Sequence, residues 1–263
     1  MISPAPALSR DLRKLATGWR WRLGYVVGTP IPAHFDPELT ATIKRVRRHT
    51  MTSAARIAAL CESAEYVVSN SIEGELVECG VWRGGSMMAA ALTLLRLGET
   101  DRDLYLFDTF TGMPEPSADD VRSPYDGYSI HRRWRRVDRA GRSWVGAPAE
   151  EVGERLAGTG YPPARIHLVP GMVEQTLPDA APERIAILRL DTDWYASTKH
   201  ELEHLFPLLA EGGVLIVDDY GHYEGARRAV DEYFAETGQR VLLNRIDYTG
   251  RIAVKQAAAT EAA

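Results

Sequence analysis

The sequence predicts an α/β fold in which a mostly parallel sheet carries helices on both faces. From residue 74 onward, short apolar segments alternate with segments of helical periodicity. Such alternation is typical of strand–helix–strand units, whose strands run parallel. The chain has 263 residues, of which 45% are hydrophobic, and this is enough to bury the core of one large domain without disulfides.

Three segments divide the chain. Residues 1–37 form a basic N-terminal arm that contains tryptophans, and its apolar runs are too short and interrupted for a signal peptide. We expect this arm to pack on a partner subunit, which makes a homodimer the expected assembly, or to cover a substrate site. Residues 38–256 form the α/β domain, and residues 257–263 are expected to be a frayed tail.

A polar insertion interrupts the domain at about residues 113–150. Its second half is rich in arginine, and the whole segment is poor in aliphatic residues. Long insertions in compact domains are usually functional or disordered, so we interpret this one as a mobile lid.

Periodicity and turn residues define the elements before and just after the insertion. Residues 38–70 are predicted to form two helices with a break between them. The strand GELVECG, the helix SMMAAALTLLRLG and the strand DLYLFDTF come next. A helix over residues 149–157 and the strands RIHLVPG and IAILRLD follow the insertion.

The C-terminal part is predicted to complete the sheet. STKHELEHLFPLLAEGG is predicted to be one helix, because Leu202, Leu205, Phe206 and Leu209 recur at helical spacing. The strand GGVLIVDD and the helix GARRAVDEYFAETG come after it. VLLNRID and RIAVKQ are predicted to form an antiparallel pair.

Charge and composition narrow the functional classes. A net charge of −5 argues against a general nucleic-acid binder. No apolar run approaches the ~20 residues that a membrane-spanning helix needs. Cys61 and Cys79 are too few for a disulfide framework or a zinc cluster, and we expect both to stay reduced in a cytoplasmic setting. Neither a nucleic acid nor a membrane is therefore the expected partner.

A glycine-rich turn, VECGVWRGGS, joins the first strand to the next helix. Gly80 and Gly84 allow the backbone to approach a ligand closely, although a tight strand–helix connection alone would also use them. Glu78 suits an ammonium group better than a phosphate. Asp108 ends the next strand, where a carboxylate can bind ribose hydroxyls. S-adenosylmethionine fits this pair of acids, whereas the pyrophosphate of NAD prefers a helix N-terminus without an acid.

Acidic residues end two strands that the predicted topology places side by side. Asp191 follows one strand, and Asp218 and Asp219 follow the next. Ligands of such sheets bind outside the carboxyl ends of the strands, so these carboxylates are expected to converge on one crevice. A Mg²⁺ ion would relieve their mutual repulsion. The alternative is that Asp218 caps the following helix and Asp191 pairs with an arginine.

Asp193 lies two residues beyond Asp191 and suits a general base. A carboxylate with an ordinary pKa of ~3.9 is a weak base for an alcohol, but a metal ion that binds the alcohol lowers the alcohol's pKa. The alternative is that Asp193 is the N-cap of the helix that starts near Ala196. His222 and His131 remain alternative bases.

The segment HELEH, residues 200–204, matches the H-E-x-x-H pattern of zinc proteases. We expect this match to be accidental, because the segment lies turns away from the crevice and no downstream third ligand stands out. Leu202, Leu205 and Phe206 should face the core, which would turn most of the remaining helix surface to solvent.

Several segments together resemble the macrocin O-methyltransferase family, whose members methylate sugar hydroxyls of antibiotics. They are GELVECGVWRGGS, LYLFDTFTGMP, LVPGMVEQTLP and LRLDTDWYASTKHELEHLFPLLAEGGVLIVDDYGHYEGARRAVDEYF. DTDWY and DDYGHY are most similar to the branch of the noviose 4-O-methyltransferase of aminocoumarin biosynthesis. The resemblance covers about residues 40–250. It implies a Rossmann-like class I S-adenosylmethionine-dependent methyltransferase fold with a seven-stranded sheet, and a reaction that depends on Mg²⁺.

The resemblance also implies roles for individual residues. It assigns the metal to Asp191, Asp218 and Asp219, and proton removal to Asp193. It suggests that the segment His49–Met51 closes over the cofactor and that Gly171 and Met172 flank the adenine. The full set of residues that it places around S-adenosylmethionine is Thr50, Met51, Glu78, Cys79, Gly80, Val81, Trp82, Gly84, Asp108, Thr109, Phe110, Gly112, Gly171, Met172 and Asp191.

The predicted activity is transfer of a methyl group from S-adenosylmethionine to a sugar hydroxyl of a glycosylated natural product in antibiotic biosynthesis. The arm and the insertion match the family least, and they shape the acceptor pocket. Three alternatives remain open, namely a catechol-type O-methyltransferase, a metal-dependent glycosyltransferase and a non-catalytic binding protein. The full set of clustered acids argues against the last, because unneeded carboxylates would cost stability.

Overall fold

The computed structural model describes residues 30–120, 129–140 and 143–257. Most of the N-terminal arm (residues 1–29), the end of the tail (residues 258–263) and two short stretches of the insertion (residues 121–128 and 141–142) lie outside the described residues. The predictions for the arm and the tail therefore stay predictions.

Within the described residues, seven strands form one sheet in the order β3-β2-β1-β4-β5-β7-β6. Strands β1 to β5 pair in parallel, and β7 runs antiparallel to both β5 and β6. The mostly parallel sheet and the C-terminal antiparallel pair were both predicted and are confirmed. The strands are β1 (Glu75–Cys79), β2 (Leu104–Asp108), β3 (Ile166–Pro170), β4 (Ile185–Leu190), β5 (Leu209–Val217), β6 (Asn244–Arg245) and β7 (Arg251–Val254).

Helices connect the strands and precede the sheet. The two helices predicted over residues 38–70 are present, and each begins at a capping side chain: Asp36 accepts from Leu39 N and Ser53 accepts from Arg56 N. The helices are α1 (Pro37–Val46), α2 (Ala54–Ser69), α3 (Gly85–Arg96), α4 (Ile130–Asp138), α5 (Ala149–Ala157), α6 (Val173–Thr176), α7 (Tyr195–Leu205) and α8 (Glu224–Thr237).

One predicted helix is shorter than expected. The helix predicted to run to Gly213 ends at Leu205, and β5 already begins at Leu209. Pro207 explains the early end, because proline lacks the backbone N–H that would continue the helical hydrogen bonds. The apparent helical spacing of Leu209 therefore arises from a strand residue that faces the same core.

Two apolar clusters cover the two faces of the sheet. Ile187 belongs to the cluster with α2 and α3, whereas Leu188 belongs to the cluster with α7 and α8. All six residues of β4 are buried, as expected for a central strand of a parallel sheet covered on both sides. Polar side chains at the carboxyl ends of these strands therefore mark the place where the sheet opens to a ligand.

Two further observations concern the cysteines and the length of the helices. Cys61 and Cys79 are both buried free thiols. In the part of the chain that the structure describes, no helix is long and apolar enough to cross a membrane.

Candidate active site

The carboxyl ends of β1, β4 and β5 form the crevice where the predicted acids meet. Ladder hydrogen bonds continue past the strand ends: Asp191 N donates to Cys79 O at 2.8 Å, and Asp218 N donates to Leu190 O at 2.9 Å. These backbone bonds fix the positions from which the acidic side chains project.

An acid trio, Asp191, Asp193 and Asp219, occupies this crevice. One carboxylate oxygen from each lies within 4.8 Å of the other two. All three side chains are half-buried, so they are open to a ligand on one side. Three carboxylates at this separation repel one another, and a divalent cation bound by oxygen is the chemical partner that they fit.

Backbone geometry directs Asp193 into the trio. Its φ is 70°, in the left-handed region that side chains other than glycine seldom adopt. Such a conformation costs about 1–3 kcal/mol and persists where the surrounding structure requires it. The alternative role for Asp193 is not realised, because the N-cap of α7 is Trp194. Instead the buried Asp120 of the insertion accepts a hydrogen bond from Tyr195 N at 2.8 Å.

The structure differs from the prediction at Asp218. This residue was grouped with the metal-binding acids, but it lies outside the acid trio and is only 3% exposed. Its Oδ1 accepts from Arg189 Nη2 at 2.5 Å and from Thr52 Oγ1 at 3.1 Å, and its Oδ2 accepts from Arg56 Nη1. The two guanidinium groups neutralise Asp218 and hold it away from the other acids. Asp218 does not cap a helix either, because α8 begins after Tyr223.

Arg189 is the central cation of the crevice, and it was not predicted from the sequence as a site residue. It is 3% exposed and pairs with Glu78, with Asp218 and, at 2.8 Å from Nη1 to Oδ2, with Asp191. The alternative in which Asp191 pairs with an arginine is thus realised together with the acid trio. The available signal was a charged residue between Leu188 and Leu190 in an otherwise apolar strand.

Burial and mutual repulsion change the pKa values of the acid trio, two of which rise and one of which falls. Burial, followed by the charge of Asp219, raises the pKa of Asp193 well above its ordinary range. Burial also raises the pKa of Asp191, although Arg189 opposes that rise. Burial alone would raise the pKa of Asp219, but hydrogen bonds from Asp193 and Asp191 outweigh it and lower that pKa. A bound cation would take the place of these protons.

Glu78 is buried beneath the glycine-rich turn. Burial raises the pKa of Glu78 to about 7 in spite of its ion pair with Arg189. Its Oε2 has no hydrogen bond within the described residues and is an acceptor that a bound donor could satisfy. The structure therefore places Glu78 against an arginine and also leaves one oxygen for a ligand.

The glycine-rich turn packs tightly on its neighbours. Gly80 has a φ of 84°, and a Cβ there would lie 2.1 Å from Asp191 O. A Cβ on Gly85 would lie 2.5 Å from His49 O, which accepts from Gly85 N at 2.9 Å. The segment His49–Met51 is thus seated on the turn, and Met51 keeps 39% of its surface exposed.

Asp108 organises the same turn from the end of β2. Its Oδ2 accepts from Val81 N at 2.7 Å and from Trp82 N at 2.9 Å, and its Oδ1 accepts from Phe110 N at 2.7 Å. Gly171 N donates to Asp108 O at 3.0 Å, which brings the β3 end alongside. Oδ2 already accepts two hydrogen bonds, whereas Oδ1 accepts one short hydrogen bond and keeps a lone pair for a ribose hydroxyl.

A cavity of about 310 Å³ lies between Thr109, the residue after Asp108, and the insertion. Its wall contains three of the residues that the resemblance assigned to the cofactor, Thr109, Gly112 and Met172. Trp134 and Trp144 of the insertion line it as well. Trp134 Nε1 donates to Met113 O at 3.1 Å, which holds α4 over the cavity. Cys79, by contrast, is fully buried under the turn.

The two histidines considered as bases lie in different places. His222 is buried, its Nδ1 is 3.5 Å from the Tyr248 hydroxyl oxygen, and its charge is close enough to help lower the pKa of Asp219. His131 lies on α4 in the insertion.

Comparison with known proteins gives consistent matches. Residues 39–254 match the macrocin-O-methyltransferase (TylF) family. The 8-demethyl-8-(2,3-dimethoxy-alpha-L-rhamnosyl)-tetracenomycin-C 4'-O-methyltransferase of Streptomyces olivaceus is 35% identical over 215 residues, which are 82% of this chain and 78% of that protein. The demethyldecarbamoylnovobiocin O-methyltransferase of Streptomyces niveus is 33% identical over 188 residues, 72% of this chain and 68% of that protein.

A solved structure agrees with these relatives. The O-methyltransferase NovP superimposes with a TM-score of 0.71 at 29% identity, covering 92% of this chain and 99% of NovP. The predicted class I methyltransferase fold and the predicted family are both confirmed. The chain belongs to the macrocin O-methyltransferase family and is an O-methyltransferase.

Proposed function

We propose that this enzyme transfers a methyl group from S-adenosylmethionine to a sugar hydroxyl of a small glycosylated natural product in antibiotic biosynthesis. The observation that carries the proposal is the acid trio, which lies directly beside a glycine-rich turn suited to the methyl donor. The names of both relatives support it, since one specifies a rhamnosyl-bearing tetracenomycin and the other a novobiocin precursor.

The residues around the glycine-rich turn fit S-adenosylmethionine. Glu78 Oε2 is a buried acceptor without a partner in the described chain, which suits the ammonium group of the methionine end. Asp108 would bind the ribose, and Met172 with Thr109 would line the adenine side of the cavity. The sulfonium is reactive by itself, so the protein contributes mainly by positioning donor and acceptor.

The acid trio fits a divalent cation such as Mg²⁺, which Asp191 and Asp219 would hold through carboxylate oxygens. Such an ion supplies Lewis acidity that lowers the pKa of an acceptor hydroxyl. Asp218 received a ligand role from the resemblance. Its pairs with Arg56 and Arg189 favour a positioning role, in which it fixes the end of β5 and thereby the neighbouring Asp219.

Asp193 would remove the proton from the acceptor hydroxyl. Its carboxylate lies within 4.8 Å of the Asp191 and Asp219 carboxylates that would hold the cation, so it would stand beside an acceptor hydroxyl bound there. Its left-handed backbone directs the carboxylate into the crevice. The insertion reaches this place too, because Trp194 Nε1, in the residue next to Asp193, donates to Pro114 O at 3.2 Å. The insertion is thereby able to exclude water from the acceptor side.

The test is a pair of measurements. Calorimetric titration of S-adenosylhomocysteine, with Mg²⁺ and after chelation, should show binding in both conditions, because the cation is proposed to serve the acceptor. A panel of rhamnosylated and noviosylated natural products should then be methylated, and simple catechols should not. No binding of S-adenosylhomocysteine would overturn the donor assignment, and turnover of catechols alone would overturn the sugar acceptor.

A further inference from the structure

A second cluster of metal-ligating side chains lies on α7. His200, Glu203 and His204 each offer one ligand atom, and the three atoms lie within 4.8 Å of one another. The two imidazole rings are 4.2 Å apart between centroids. From these positions we infer that His200, Glu203 and His204 form a binding site for one transition-metal ion such as Zn²⁺, separate from the acid trio.

Helix geometry brings the three side chains together. Residues three and four positions apart lie on the same face of a helix, so His200 is a neighbour of both Glu203 and His204. Glu201, the residue that would be the general base in a zinc protease, is fully buried and is not part of this cluster. The cluster therefore differs from the protease motif. Its third ligand is Glu203, which lies within the HELEH segment itself and not downstream of it.

The ligand set selects the kind of ion. Two imidazole nitrogens and one carboxylate oxygen suit Zn²⁺, Co²⁺, Ni²⁺ or Cu²⁺. Mg²⁺ prefers oxygen ligands alone and fits the acid trio instead. With three protein ligands, a tetrahedral ion keeps one position for water. The two sites on this chain are thus chemically distinguishable.

The surroundings of the cluster are compatible with binding. Both histidines are half-buried and Glu203 is exposed, so an ion can enter from solvent. His200 Nε2 lies 3.4 Å from Leu177 O, the kind of outer contact that orients a ligating imidazole. Lys199 Nζ is 3.9 Å from Glu203, but it makes its closer ion pair with Glu236. A bound ion would therefore not have to displace a tight ion pair of Glu203.

The experiment uses the full chain without a purification tag, stripped of metal and titrated with Co²⁺ in the presence of excess Mg²⁺. The excess Mg²⁺ is chosen to fill the cation site proposed at the acid trio, so that the histidine site is left to Co²⁺. We expect the visible absorption of four-coordinate Co²⁺ to saturate at one equivalent and to disappear on addition of stoichiometric Zn²⁺. More Mg²⁺ should leave it unchanged.

Variants locate the ion. His204→Ala and the conservative Glu203→Gln, at an exposed position, should each weaken Co²⁺ binding by more than about 10-fold, which is the loss that even outer contacts of a metal site typically cause. His131→Ala, a histidine variant on another helix, should bind as the parent does. Absence of the absorption in the parent protein would overturn the inference. So would its persistence in His204→Ala, or its loss in Asp219→Asn, which would place the ion in the acid trio.

Discussion

Arg189 Nη2 binds Asp218 Oδ1 at 2.5 Å, and both side chains are buried at the carboxyl edge of the sheet. The same guanidinium reaches Glu78 on β1 and Asp191 after β4. Arg189 thus joins three strand ends that carry the donor and acceptor sides of the site. Two of the four neighbouring aspartates pair with arginine, Asp218 with Arg56 and Arg189 and Asp191 with Arg189, which reduces the repulsion within the acid trio.

Replacing Arg189 with methionine should destabilise the fold strongly. Removal of one partner from a buried ionic network leaves uncompensated charges and typically costs about 3–5 kcal/mol. Urea unfolding followed by circular dichroism measures the change. Arg184→Met is the matched control, since Arg184 pairs with Glu73 at the surface, where an ion pair is worth about 0–1 kcal/mol. An equal loss of unfolding free energy in the two variants would show that the buried network contributes no more to stability than a surface ion pair.

Asparagine substitutions at the adjacent residues Asp218 and Asp219 should have different consequences. Asp219→Asn should raise the Mg²⁺ concentration needed for half-maximal activity, because it removes one oxygen ligand from the acid trio. Asp218→Asn should lower the free energy of unfolding, because it leaves Arg56 and Arg189 without their shared carboxylate. Mg²⁺ activation curves and urea unfolding on both variants separate the two roles. If Asp218→Asn changed the Mg²⁺ requirement and Asp219→Asn changed only the stability, Asp218 would be a metal ligand after all.

Asp193→Asn should abolish proton removal and leave binding intact. We expect turnover to fall by about 10²–10⁴-fold, the usual contribution of a general base. The affinity for S-adenosylhomocysteine should stay within about twofold of the parent value, because Asp193 is not one of the residues placed around the donor. Rapid-quench turnover and calorimetry give the two numbers. Parent-like turnover in Asp193→Asn would show that another group is the general base. His222 would then be the first residue to test, because it lies beside Asp219.

The sequence predicted the order of strands and helices and the position of the acids, because these follow from periodicity and from the rule that parallel strands end at one edge. It did not predict the partners of Asp218. Arg56 is 162 residues away from Asp218 along the chain, and nothing local to either residue indicates that they meet. The expected metal set therefore contained Asp218, whereas the structure places Asp193 with Asp191 and Asp219.

Burial of α7 was underestimated for a related reason. The apolar spacing indicated one core-facing stripe, but α7 lies between the sheet and α8 and is also covered by α6. Glu201, Ser197 and Thr198 are consequently buried, although the pattern predicted exposure. A polar residue on a helix that is covered from two sides cannot be recognised from amphipathicity alone.

Gly80→Ala should disrupt the donor site. A Cβ at Gly80 would lie 2.1 Å from the carbonyl oxygen of Asp191, so the turn and the end of β4 would have to separate. Gly98→Ala is the matched control, because Gly98 also has a positive φ but a Cβ there would have nothing within 4 Å. Both variants carry backbone strain of about 1–2 kcal/mol. Calorimetry should show that only Gly80→Ala loses S-adenosylhomocysteine binding. An equal loss of affinity in Gly98→Ala would mean that backbone strain, and not the contact with Asp191, causes the loss.

Glu201 makes the stability of the protein depend on pH. Its side chain is completely buried, and its carboxyl oxygens have no hydrogen bond of good geometry in the described part of the chain. Burial raises the pKa of Glu201 well above its ordinary value, the nearby Thr192 hydroxyl opposes this rise, and the charge of Glu174 adds to it. In the unfolded chain this carboxyl loses its proton at its ordinary pKa, whereas in the folded protein it keeps the proton to higher pH. The folded state then binds more protons, so the contribution of Glu201 to stability falls as pH rises through this interval.

Glu201→Gln should remove this dependence, because glutamine imitates the neutral acid in size and cannot ionise. The difference in unfolding free energy between variant and parent should grow in favour of the variant by up to about 1 kcal/mol per pH unit as the pH rises above the ordinary glutamate pKa of ~4.3. Urea unfolding at several pH values, in the presence of a chelator, measures it. Glu203→Gln, at an exposed position of the same helix, is the matched control for replacing a glutamate of this helix with glutamine. A difference for Glu201→Gln that does not change with pH would mean that the folded protein accommodates the Glu201 anion, by admitting water or a cation beneath the Asp191–Asp193 turn.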